Sequence, residues 1–437
     1  MLITRLGQVA GSSSGRLLLR SQRQLAVPAL ISSGRQVAKR TGQVRQLAAQ
    51  RTAPKKQSTS SSSSNGNGAG ADAAPRVTKE MVAHELKEIL KLMFGGVAVV
   101  GGLLASSGFV IETTRSMKPM AGPGSIVELA DEDGNPLSVH VQRRGVGDTT
   151  VIFDGGIGET SFDWDKVSDQ VAAFANVVAI DRPGLGFSAA SSSPRTSTQI
   201  AKEYQQILHA LNVSGKVILV AHGAGGYNMR ELAGELDNNA NSSSQSCVGL
   251  VLVDALEEHL RNELESVSDR VRESLAAIDA NGDTVLWLSR FGVIRLINFV
   301  QQSKFAEKYS PAALPFVQHF LPSPAHRTGV QQESEALPLT EQQFRDAPSA
   351  PKFQFPCIVL SHGKNTMFEA MKVQSGIDDA TVAALEGKWN AAQEKLAQSV
   401  SARSTRVVVK DASHAIHHER PDEIVRAVRR LVEEARA

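Results

Sequence analysis

The sequence predicts an α/β fold: a mostly parallel central sheet with helices on both faces, preceded by a single transmembrane helix. Three observations predict it. Short apolar runs at residues 150–153, 176–180, 216–220, 248–253, 356–360 and 406–409 are separated by helical stretches. That order produces parallel strands covered on both sides. The runs are almost continuously apolar and rich in Val and Ile, as strands buried on both faces must be. About twenty uncharged residues at 92–111, bracketed by Lys91 and Glu112, are enough to cross a bilayer as one helix. No internal repeat is visible, and 437 residues accommodate one large domain with extra segments.

The N-terminal segments read as targeting and anchoring. Residues 1–56 contain Arg5, Arg16, Arg20, Arg23, Arg35, Arg40, Arg45 and Arg51 among Leu, Val, Ala, Ser and Gln, and no Asp or Glu occurs before Asp72. Arg-rich, Ser-rich and acid-poor is the composition of a mitochondrial presequence; a basic disordered tail is the alternative. Residues 57–77, with a serine run and Asn65-Gly66-Asn67-Gly68, read as a flexible linker. Residues 78–91 form an amphipathic lead-in to the 92–111 span, whose alternative reading is a buried Gly-rich helix. The expected location is the mitochondrial inner membrane, single-pass. If the presequence enters the matrix and the span then arrests, the large domain faces the intermembrane space.

Past residue 115 the elements follow in order. Residues 125–129 and 137–141 form a hairpin around Asp133-Gly134-Asn135-Pro136. The strand at 150–153 ends in Asp154-Gly155-Gly156-Ile157-Gly158, helix signals begin near Asp163, and the next strand ends in Asp181-Arg182-Pro183-Gly184. A helix spans about 196–211. The strand at 216–220 runs into Ala221-His222-Gly223-Ala224-Gly225-Gly226, small residues suited to a sharp strand-to-helix turn, and a helix over 224–235. The strand at 248–253 ends at Asp254, and Pro421 opens a final helix to Val432. Asp279-Ala280-Asn281-Gly282-Asp283 lacks the glycine placement and terminal glutamate of a calcium loop and reads as a turn.

Composition excludes several functions. A net charge of +2 offers no global argument for nucleic acid, and the two cysteines, Cys247 and Cys357, each open an apolar run and read as buried thiols. No cofactor motif and no Cys/His spacing for a metal is present.

Together these motifs resemble the α/β-hydrolase family over about residues 115–437. They are the glycine-rich turn at 154–158, the Asp181-Arg182-Pro183-Gly184-Leu185-Gly186-Phe187-Ser188 turn, the 221–226 frame continuing as Gly225-Gly226-Tyr227-Asn228-Met229-Arg230, Asp254, and Ala412-Ser413-His414 with Pro421. The resemblance implies an α/β-hydrolase fold with a helical lid at about 256–350. It places Gly223 at the position of the nucleophilic serine, in a turn that normally lifts a hydroxyl above the sheet. It places His414 as the general base, with an exposed loop histidine as the alternative. No carboxylate stands in Ser361-His362-Gly363-Lys364-Asn365, so Asp254 is either the acid that orients His414 or a helix cap. Backbone N–H groups of Gly156 or Ile157 and of Ala224 are the oxyanion donors. Two functions follow. One is a catalytically silent membrane protein that binds a partner protein or a hydrophobic small molecule. The other is an ester or lipid hydrolase in which His414 activates water. His222 as a replacement nucleophile is disfavoured, since the turn aims it away from the oxyanion donors.

Overall fold

The computed structural model describes residues 79–117, 120–131, 133–238, 244–347 and 352–437. The presequence and linker expectations, residues 1–56 and 57–77, lie outside the described residues. The described residues fall into two units, one ending at Val97 and the other running from Ala98 to Ala437. Helix α1 (Lys79–Met117) joins the expected lead-in and span into one continuous helix. Its stretch from Ala83 to Met117 is long and apolar enough to cross a membrane, and its apolar side chains are exposed.

The second unit is built on an eight-stranded sheet of order β1-β2-β4-β3-β5-β6-β7-β8. The strands are β1 (Ser125–Ala130), β2 (Pro136–Arg144), β3 (Thr149–Asp154), β4 (Asn176–Ile180), β5 (Gly215–His222), β6 (Gln245–Val253), β7 (Phe353–His362) and β8 (Ser401–Val409). β1 and β2 form the expected antiparallel hairpin, β2 pairs antiparallel with β4, and every pairing from β4 through β3 to β8 is parallel. Successive side chains point to opposite faces, so each central strand feeds two cores. Ile152, Leu219, Leu252 and Val359 meet Tyr204, Met229 and Leu396 on one face. Phe153, Val220, Val253 and Leu360 meet Trp164, Val428 and Leu431 on the other. Helices α3 (Ser197–Ala210) and α4 (Gly225–Asn238) cover the first face, and α2 (Asp165–Val171) helps to cover the second. Thr196 caps α3 by accepting from the Gln199 N–H, one of the donors a helix start leaves unpaired.

Between β6 and β7 lies a helical insertion: α5 (Leu260–Glu265), α6 (Asp269–Arg290), α7 (Val293–Val300), α8 (Gln302–Lys308), α9 (Leu314–Phe320) and α10 (Pro324–Asp346). The expected turn at 279–283 is overturned, because these residues lie inside α6. Val271 and Leu275 bury one face of α6, and Arg261 pairs with Asp279 at 2.5 Å, so tertiary packing overrides the turn propensity of Asn281-Gly282. After β7 come α11 (Thr366–Ser375) and α12 (Asp379–Val400), and after β8 come α13 (Ile416–Glu419) and α14 (Pro421–Arg436). Cys247 and Cys357 are buried free thiols, and burial pushes both up to about 12.

Candidate active site

Four chain segments converge above the carboxyl ends of β5, β6, β7 and β8, where ligands sit in open parallel sheets. β5 ends at His222, and Gly223 turns the chain with φ +56° before α4 begins at Gly225. The turn is stitched to the end of β6: Gly223 N–H donates to Val253 O at 3.2 Å and Leu256 N–H to Gly223 O at 3.0 Å. A Cβ on Gly223 would lie 3.5 Å from Gly156 Cα and 3.8 Å from His414 Nε2, ordinary van der Waals contacts, so the left-handed φ is the obstacle to a side chain there, not space.

Asp254 follows β6 with φ +45°, a conformation uncommon for a non-glycine residue. Its carboxylate is fully buried and accepts from His414 Nδ1 at 2.7 Å, His362 Nδ1 at 2.6 Å and Trp389 Nε1 at 3.1 Å. The helix-cap reading of Asp254 is therefore set aside: α5 starts only at Leu260, and Asp254 orients histidines instead. The solvent-exposed reading of His414 is set aside too, since only 11% of its side chain is exposed. His414 Nε2 is buried without a partner and faces the space beside Gly223.

His362 stands in the segment where the sequence offers no carboxylate, and the fold puts its imidazole on Asp254. The consequence is electrostatic. Burial lowers the proton affinity of His362, but the Asp254 carboxylate outweighs it and raises the group to about 10. His414 goes the other way, to about 4, through burial and the neighbouring His222 charge, against its hydrogen bond to Asp254. Burial opposes the charge on Asp254, yet the two imidazoles hold its carboxyl below the usual range. At neutral pH the trio is a carboxylate, an imidazolium at His362 and a neutral imidazole at His414.

A second cluster adjoins it and was not foreseen. His222 Nδ1 meets Glu159 Oε2 at 2.8 Å, and its Nε2 donates to His414 O at 3.0 Å. Both ring nitrogens of His222 are thus committed, which leaves none for attack on a substrate. His417 packs against His222, with ring centroids 4.2 Å apart; its nitrogens have no hydrogen-bond partner among the described residues, and its Nε2 lies 3.7 Å from Glu159 Oε1. Glu159, His222 and His417 bring ligand-capable atoms within 4.8 Å of one another, as do Asp163, His417 and His418. Glu159 and His222 satisfy each other directly, so we read them as an ion pair bracing the turn.

Of the expected oxyanion donors, the Gly156 N–H is taken: it donates to Glu159 Oε2 at 2.7 Å. The N–H groups of Ile157 and Ala224 have no partner among the described residues. Beside them lies a cavity of about 20 Å³, room for about one water, lined by Ile157, Ala224, Arg182, Asn228 and Glu333 among others. Arg182 forms part of its wall. Its Nε and Nη2 donate to Glu333 of α10 at 2.6 and 2.9 Å, its Nη2 also to Gly156 O at 2.7 Å, and its Nη1 to Asp154 and Gly155 O. Tyr204 and Asn228 complete the Asp154 carboxylate at 2.8 and 2.7 Å.

The profile of the alpha/beta hydrolase family matches residues 151–427. The chain belongs to the alpha/beta hydrolase family. A stretch of 87 residues, 20% of this chain, is 31% identical to the uncharacterized protein YqjL of Bacillus subtilis (strain 168) and spans 34% of that protein's length. Among solved structures, a malate-bound thermophilic esterase from Thermogutta terrifontis shares 16% identity at TM-score 0.48, covering 72% of this chain and 100% of that one. The epoxide hydrolase CorEH without ligand shares 15% at TM-score 0.45, covering 71% and 99%. Cfl2 of Burkholderia cenocepacia shares 16% at TM-score 0.45, covering 70% and 94%.

The site's histidines dictate a pH response of this hydrolase-family domain. A histidine buried neutral takes up its proton only on unfolding, so His414 lowers native stability as pH falls from about 6.5 toward 4, by up to about 1.4 kcal/mol per pH unit. His362 has the opposite sign: its raised folded value stabilises fully below about 6.5 and is lost as pH rises through about 10. Urea midpoints at pH 5 and 7 are expected to show a smaller acid loss in His414→Gln than in the wild type. An unchanged difference would show that His414 is not held neutral.

Proposed function

We propose that this is a membrane-anchored hydrolase-fold protein that has lost its nucleophile and serves as an accessory, scaffold or ligand-binding protein. One observation carries the reading. A His414–Asp254 pair is built at the strand-to-helix turn and aims a free nitrogen at Gly223, the position where the family's frame holds serine and where no side chain exists. Glycine cannot form the acyl intermediate. Two further facts support the reading. The cavity beside Ile157 and Ala224, walled in part by Arg182 and Glu333, has a volume of about 20 Å³, room for about one water. His414, at about 4, is a poor base near neutral pH, since general bases work best when matched to the operating pH. The presequence-like composition of residues 1–56 supports a mitochondrial location, and 92–111 supports a single span, the inner membrane being our assignment.

A second reading rests on the same orphaned nitrogen. A water on His414 Nε2 would pass a proton to that nitrogen as its oxygen attacks an ester carbonyl, the Ile157 and Ala224 amides would receive the oxyanion, and the alcohol would leave with the proton returned by His414. Hydrolysis of short and medium-chain nitrophenyl esters by wild type and His414→Ala separates the two. Equal rates at the uncatalysed background are expected. Turnover that falls at least about tenfold in His414→Ala would overturn the silent reading in favour of activated water.

A further inference from the structure

Helix α7 presents its apolar side chains to solvent. Of Val293–Val300 only Ile294 is buried, whereas Leu296, Phe299 and Val300 are 63%, 71% and 76% exposed, and Trp287 on α6 adds 56%. Large apolar residues grouped this way cost solvation free energy unless something covers them. Arg290, Lys304 and Lys308 flank the patch in sequence. Aromatic and aliphatic side chains on one face with basic residues around them are the signature of a helix lying in a membrane interface.

The end of α1 is fastened to this same place. The buried Glu112 carboxylate accepts from Arg295 Nε and Nη2 of α7 at 2.5 and 2.8 Å, while Arg295 Nη1 donates to Gln318 O and His319 O at 2.9 and 3.1 Å. Phe109 packs on Phe291, with ring centroids 6.1 Å apart. Gly108 permits this approach, because a Cβ there would fall 2.0 Å from Phe291 O. Glu112 is the first residue after the proposed span, one helical step of about 1.5 Å beyond Ile111. Arg295 therefore holds α7 at the depth where α1 leaves the hydrocarbon.

We propose that α7 and Trp287 lie in the lipid headgroup region of the leaflet from which α1 emerges, with Leu296, Phe299 and Val300 reaching the acyl boundary and the flanking basic residues near lipid phosphates. This rests on the reading of 92–111 as a span. It makes the helical insertion a membrane-apposed element, tied to the anchor through Glu112 and Arg295.

Tryptophan reports the contact directly, because Trp164 and Trp389 have no exposed surface and Trp287 does. The full chain is reconstituted in phosphatidylcholine–phosphatidylglycerol vesicles with bromine on the upper acyl chain, and alkaline carbonate extraction is run in parallel. The expected result is loss of about half or more of the Trp287 emission, measured against Trp287→Phe, in a chain that resists extraction. Phe299→Glu with Val300→Glu, exposed positions that leave the core intact, is expected to abolish the quenching but not the retention. A retained chain whose Trp287 is quenched by aqueous iodide, or by neither agent because protein covers it, overturns the interfacial placement and leaves the span standing. A chain released by carbonate overturns the span and with it the placement beside α1, whether or not bromolipid still quenches Trp287.

Discussion

Gly223→Ser is expected to turn the protein into a measurable ester hydrolase. A hydroxyl added there sits one bond beyond a Cβ that lies 3.8 Å from His414 Nε2, within reach of a hydrogen bond, and His414 is already oriented by Asp254 at 2.7 Å. In triad enzymes the nucleophile is worth roughly a millionfold in turnover. Only part of that is expected here. Gly156 has given its amide to Glu159, the cavity is small, and His414 is a weak base at about 4. A gain of at least about a hundredfold in nitrophenyl ester hydrolysis is the expected outcome. It should be accompanied by labelling with a fluorophosphonate probe, and both should vanish on adding His414→Ala. The left-handed φ of +56° makes the serine cost about 1–2 kcal/mol of stability, which a urea titration reads alongside. A folded Gly223→Ser protein that neither labels nor turns over would refute the assignment of Gly223 to the nucleophile position.

Arg182→Ala is expected to be the most destabilising single change in the domain. The guanidinium pairs with two buried carboxyl groups, Asp154 at the end of β3 and Glu333 on α10, and also holds the carbonyls of Gly155 and Gly156. Removing one partner of a buried pair leaves uncompensated charge and costs about 3–5 kcal/mol. Here two carboxylates lose the guanidinium at once, Asp154 keeping only its neutral donors Tyr204 and Asn228, and Glu333 keeping the Gly158 N–H. Arg182→Lys is expected to recover only part of the loss, because an ammonium cannot reproduce the planar fork that meets Glu333 through both Nε and Nη2. Thermal and urea unfolding of the reconstituted protein measure it. A loss under about 1 kcal/mol would mean that the network carries little of the tie between the insertion and the sheet. Because Arg182 and Glu333 also form part of the wall of the cavity beside Ile157 and Ala224, the same variant opens the cavity. Partner or ligand binding that survives Arg182→Ala would place the binding surface elsewhere.

The frame of the site was legible in the sequence because it is local. His222-Gly223-Ala224 follows a strand and precedes a helix in one continuous run, and backbone turns of that kind are written in neighbouring small residues. Asp254 and His414 were legible as strand-end and loop residues in the family's order. Their partnership was not, and Asp254 stayed divided between orienter and cap until the fold brought residues 160 positions apart to 2.7 Å. His362 was passed over because a histidine standing where an acid is sought looks like an absence. Arg182 stands in the 181–188 turn that carries the resemblance, but its pairing with Glu333 and that of Glu159 with His222 left no local signal: a buried charge is recognisable only by the partner across from it. The turn at 279–283 was misjudged for the converse reason, since strong local turn residues yielded to packing along α6.

What the sequence by itself determined is whatever depends on composition and short-range order. Strands buried on both faces announce themselves as apolar runs, an apolar helix of spanning length by its lack of charge, and the glycine at position 223 by one letter. What only the tertiary structure decided is the state of the site. Which histidine shares the Asp254 carboxylate, which amide Glu159 occupies and how α1 meets Arg295 all depend on contacts between residues far apart in the chain. Their strength is set by burial, which removes the water that would otherwise screen each charge. Burial is a property of the assembled fold.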